Sequence, residues 1–182
     1  MLTKRKDMKL NLFQKVLASI GLLAFLVLLT GCPYSSSVPI DEGTVKISSG
    51  LEGQWMNAAD KNSEEPVQNP TYFVITKVDK FHANAKKMEF SSTDSTYTET
   101  LYHLTFSDVN GETFMNALED GGNTFNLYKF VFDEKKGEIK TFEVTDYIKE
   151  TFGTSKELMD FIAKNKSNSY FFTNSIETYV RK

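Results

Sequence analysis

The feature that most constrains this 182-residue chain is a rhythm of short aromatic and β-branched runs, each cut by turn residues. Thr71–Val78 (TYFVITKV), Thr96–Phe106 (TYTETLYHLTF), Thr113–Leu118 (TFMNAL), Thr124–Phe132 (TFNLYKFVF) and Ile139–Val144 (IKTFEV) read as strands. Between the second and third stands Asp-Val-Asn-Gly-Glu. Asn110 and Gly111 both accept the positive φ of a type I′ turn, the tightest hairpin connection. Glu-Asp-Gly-Gly-Asn and Asp-Glu-Lys-Lys-Gly-Glu make the next two turns. Gly-Gln-Trp-Met-Asn (53–57) supplies an earlier strand, and Lys80–Phe90 one of weaker alternation. No repeat of fixed period is present.

The rhythm changes once. In residues 145–166, Leu158, Phe161 and Ile162 fall at i, i+3 and i+4, one face of a helix. Thr154 and Glu157 form a capping-box pair at its start. Ser169–Val180 then alternates again, with Tyr170, Phe172, Ile176 and Val180 on one side. The order is seven strands, a helix packed on the sheet, and an eighth strand. The expected class is mainly β, an eight-stranded antiparallel up-and-down barrel or a curled sheet with one helix before the last strand. Eight strands suffice to enclose side chains or one small ligand.

The N-terminal part obeys other rules. Residues 1–15 carry five basic residues against Asp7, and Val16–Thr30 runs 15 residues without a charge. A basic segment followed by a short apolar one describes a secretory signal peptide, and a bilayer span needs ~20 apolar residues. Met8 offers a second start. The apolar run ends in Leu28-Leu-Thr-Gly-Cys32, which resembles the lipobox of bacterial lipoproteins. That resemblance implies cleavage before Cys32, a diacylglycerol on its thiol, often a further palmitate-type chain on the new amino group, and residence in the bacterial envelope, at the outer membrane and facing the periplasm where the host has one. Two or more acyl chains anchor stably where one does not. Three segments follow: a signal at 1–31, a flexible tether at 32–50 rich in Ser, Pro and Gly, and a domain at 51–182.

Removing residues 1–31 leaves 16 basic against 23 acidic residues, a net charge of −7. Nucleic acid is excluded as a partner, because phosphate contacts need clustered Lys and Arg. With the lone thiol lipidated no disulfide can form, so the core alone holds the domain.

Gly53-Gln-Trp55 at the first strand resembles the Gly-x-Trp signature of the lipocalins and related calycin barrels. The resemblance implies that Gly53, Trp55 and Arg181 are structural, with the Arg181 guanidinium across the indole. The family's other motifs are not evident.

Chemistry is sparse. His82 and His103 stand apart, short of the three or four Cys/His ligands of a zinc site. No Gly-x-Ser-x-Gly elbow or phosphate-cradling loop occurs. The acid pairs Glu64-Glu65, Glu119-Asp120 and Asp133-Glu134 fall in turns, where solvated charge is the plain reading. No catalytic, metal or cofactor site is expected. Two functions fit: an accessory module with a filled lumen that docks an envelope protein, or a binder of a small apolar or amphipathic ligand with a lumen lined by Phe125, Phe172 and Ile176. The aromatic content favours the filled lumen.

Overall fold

The computed structural model describes residues 34–65 and 67–182. The signal segment, the lipobox and Cys32 lie outside the described residues.

The strands are β1 (Ser35–Ser36), β2 (Gly53–Asn57), β3 (Thr71–Lys77), β4 (His82–Ser91), β5 (Thr96–Val109), β6 (Glu112–Glu119), β7 (Phe125–Asp133), β8 (Glu138–Val144) and β9 (Phe172–Arg181). Each of β2 to β9 pairs antiparallel with the next, and β9 pairs back onto β2. Eight strands therefore close into an up-and-down barrel, and the short β1 adds to β7. Closure removes the exposed edges an open sheet would present. The Asn110–Gly111 turn has φ of 54° and 80°, as a type I′ hairpin requires.

One end of the barrel is plugged. Trp55 is 1 % exposed, and its Nε1 donates to the Leu51 carbonyl at 2.8 Å. The Phe132 ring meets its edge at 5.9 Å, and the Arg181 guanidinium lies over its face at 4.5 Å. Arg181 also donates to the carbonyls of Glu52 and Gly50. Gly53, at φ 131°, makes room for this stack, since a Cβ there would collide with the guanidinium. Ile47 and Leu51 pack beneath this layer with Ala83, Leu104, Phe106 and Ile139.

A second core lies outside the barrel wall. The helix α1 (Ser155–Asn165) is capped by Thr154 and Glu157 in a reciprocal capping box. It presses Leu158 and Ile162 onto Phe114, Leu127 and Val144. The first part of β7 is thus covered on both faces, with Phe125 and Leu127 in the outer core, while Val131 further along its outer face is exposed.

The Ser/Pro/Gly-rich stretch is not a tether. From Tyr34 to Leu51 it is a strap packed on the wall. Tyr34, Ile40, Ile47 and Leu51 are buried. Asn116 fixes the strap from the wall: its Oδ1 accepts from the Ile40 N–H at 2.8 Å, and its Nδ2 donates to Thr105 and Ser107. Ser107 in turn donates to Asp41 at 2.6 Å. Low apolar content argued against a core, but a strap needs only one buried side chain every several residues when the barrel supplies the opposing surface.

Candidate functional site

The lumen is not filled. A cavity of about 450 Å³ runs along it, within the size range of small-molecule sites. Alternation along the strands builds its wall, because every second side chain points inward. Ala117 on β6 stands opposite Leu104 on β5, Ala85 on β4 stands opposite Tyr102 on β5, and the two alanines leave the space that larger residues would occupy. Trp55, Ile75, Phe130 and Ile139 make an apolar floor.

Toward the other end the wall turns polar. Lys87, Tyr102, Asn126, Glu143, Ser175 and Glu177 line it there. Ser175 and Glu177 are exposed while the floor is buried, so the cavity opens at this end. Glu177 accepts from the Tyr179 hydroxyl. Lys87 is paired with Glu89 at 2.8 Å. Burial, with the charges of Glu177 and Asp146, raises the Glu143 carboxyl above the ordinary range. Burial and the neighbouring carboxylates raise Tyr128 and Tyr179 as well, so both phenols stay protonated as hydrogen-bond donors. The site is an apolar tube with a mouth of phenols and net negative charge.

The side chains named for the lumen from sequence are elsewhere. Phe125 and Phe172 belong to the outer core under α1, and Ile176 is 57 % exposed on the outer face. Their inward neighbours are Asn126, Ser175 and Glu177. In β7 both faces are apolar, so alternation cannot say which is inside. In β9 the apolar side faces outward because the lumen is lined by polar groups there. Phe172 shares the face of Ile176 by alternation and so also points outward, into the outer core.

Neither histidine reaches the cavity. His82 pairs with Asp79 at 2.8 Å, and His103 sits between Asn84 and Asp120 at 3.0 and 3.1 Å on the outer face. Asp133 faces Lys136, and Glu134 accepts from Ser48. Among the described residues no cluster of three or more His, Cys, Asp or Glu could hold a metal. The residues that sequence reasoning passed over are Ala85, Ala117, Glu143 and Glu177. The available signal was acids at inward positions of otherwise apolar strands.

The fold and site define a closed eight-stranded β-barrel with an internal cavity open at one end. No family model matches the chain, and no match is found among curated proteins or solved structures.

Proposed function

We propose that the mature chain is a lipid-anchored envelope protein that binds a small amphipathic molecule in its barrel, apolar end inward. The cavity of about 450 Å³ carries this reading. An accessory module acting through a filled barrel would have no use for such a volume. The calycin likeness draws support from the closed barrel and from Arg181 over Trp55. The lipobox supports the anchor and a bacterial envelope location, at the outer membrane where there is one.

The mouth narrows the ligand. Lys87 is engaged by Glu89, while Glu143 and Glu177 lack a basic partner among the described residues. A ligand head carrying a carboxylate would meet like charge, so neutral and cationic heads are favoured.

The test is native mass spectrometry of the domain isolated from its host envelope, with titration by an environment-sensitive naphthylamine dye. A retained small molecule, and dye binding lost in Ala117→Phe without loss of the folded state, support the reading. A ligand-free domain that ignores the dye, or one whose dye affinity Ala117→Phe leaves unchanged, overturns it.

A further inference from the structure

Where the chain enters the barrel decides how the protein can sit on a membrane. Tyr34 is fixed at the rim of the mouth. It is 8 % exposed, its N–H donates to the Val144 carbonyl at 3.1 Å, and its hydroxyl donates to the Glu150 carbonyl at 3.0 Å. The following residues pair with the first residues of β7, Ser35 with Asn126 and Ser36 with Phe125. Asn126 and Glu143 are the cavity-lining residues nearest that end of β7 and β8. Only Pro33 separates Cys32 from Tyr34. Two peptide units reach at most ~7–8 Å, so an acyl group on Cys32 holds the mouth, not the plugged end, within a side chain's length of the bilayer surface.

The surface at this end suits that position. Among the described residues the exposed tyrosines are Tyr97, Tyr147 and Tyr170, and all three lie at the mouth end. Tyr97 is beside the β4–β5 turn, which extends past the start of β3. Tyr147, 76 % exposed, and Tyr170 flank the Thr145 N–H to Phe171 carbonyl bond next to Tyr34. Among the described residues the plugged end presents no exposed tyrosine. Tyrosine favours the membrane–water boundary, where its ring meets apolar matter and its hydroxyl meets water.

We infer that the barrel docks mouth-first on the bilayer that holds its anchor, with Tyr147 and Tyr170 in the headgroup layer, so that an amphiphile passes between membrane and cavity without crossing bulk water. The inference rests on the lipid anchor proposed above. It deepens the ligand reading: the natural source of ligand is the membrane itself. The acidic mouth gives no attraction to anionic lipid, so docking depends on the anchor rather than on charge.

The test separates the geometry from the anchor. The chain from Cys32 onward, coupled through its one thiol to maleimide-bearing lipid in phosphatidylcholine vesicles, is compared in vesicles with and without brominated acyl chains. Single variants Tyr147→Trp, Tyr170→Trp and Val78→Trp report the two ends, with the emission of Trp55 subtracted from the parent. The expected result is loss of emission for Tyr147→Trp and Tyr170→Trp but not for Val78→Trp. A 20-residue Gly-Ser insertion after Pro33, spanning roughly 25 Å, removes the quenching. Equal quenching of Val78→Trp, no quenching at either tyrosine position, or quenching that survives the insertion overturns the orientation. Acyl labelling of Cys32 in the host tests the anchor separately, and a negative result there leaves the vesicle geometry standing.

Discussion

Replacing Trp55 by alanine tests the plugged end of the barrel in a single measurement. The ring is 1 % exposed and is clamped by Leu51, Phe132 and Arg181. Burying a ring of this size removes ~150–250 Å² from water, which at ~25 cal/mol per Å² is worth about 4–6 kcal/mol as an upper figure. Cavity relaxation brings core Trp→Ala costs to ~3–5 kcal/mol. For a domain of about 150 residues, each kcal/mol moves Tm by ~2–4 °C. Trp55→Ala is therefore expected to lower Tm by about 6–20 °C in a thermal melt followed by far-UV circular dichroism. Arg181→Ala loses the stack and two hydrogen bonds at an exposed position, a cost of about 1–2 kcal/mol. The two losses are expected to be less than additive, because each variant removes the same contact. An unchanged Tm in Trp55→Ala, with Trp55 emission in the wild type quenched freely by iodide, refutes the placement of this ring as the floor of the barrel.

Cys32→Ala is expected to leave the precursor uncut and unlabelled by radioactive palmitate, and a variant that is processed and fractionates like the wild type rules out the lipobox. Asn116→Ala strands the Ile40 N–H in a buried place at a cost of about 1–3 kcal/mol, read as faster amide exchange along residues 34–44. Glu143 binds its proton more tightly folded than unfolded, so its contribution to stability falls as pH rises from the ordinary value of 4.5 through the raised one. Glu143→Gln is therefore expected to raise Tm at pH 7 and to match the wild type below pH 4.5; a gain that persists in acid contradicts the assignment. Thr154→Ala removes the helix cap and is expected to cost about 1 kcal/mol in urea unfolding.

Local signals were sufficient for the element order. Period-2 runs, the Asn110–Gly111 turn and the capping box at Thr154 act within a few residues, and each is present where the sequence places it. The twofold apolar character of β7 is met by cover on both faces only in its first part, since Val131 on the outer face is exposed. What alternation could not tell is which face is the lumen. The rule that apolar means inside holds when the inside is a solid core. In β9 the inside is a polar cavity mouth, so Glu177 points in and Ile176 points out. The strap shows the same limit from the other side. Its composition is that of a linker, yet Ile40 and Tyr34 are buried because β6, β7 and β8, distant in sequence, bring Asn116 and Val144 to meet them. The cavity itself depends on Ala85 on β4 and Ala117 on β6 both facing inward, in adjacent rows of a closed ring. Closure is a property of β9 returning to β2, a pairing over more than a hundred residues. No local pattern encodes that return, because its free energy comes from the whole ring losing its two edges at once.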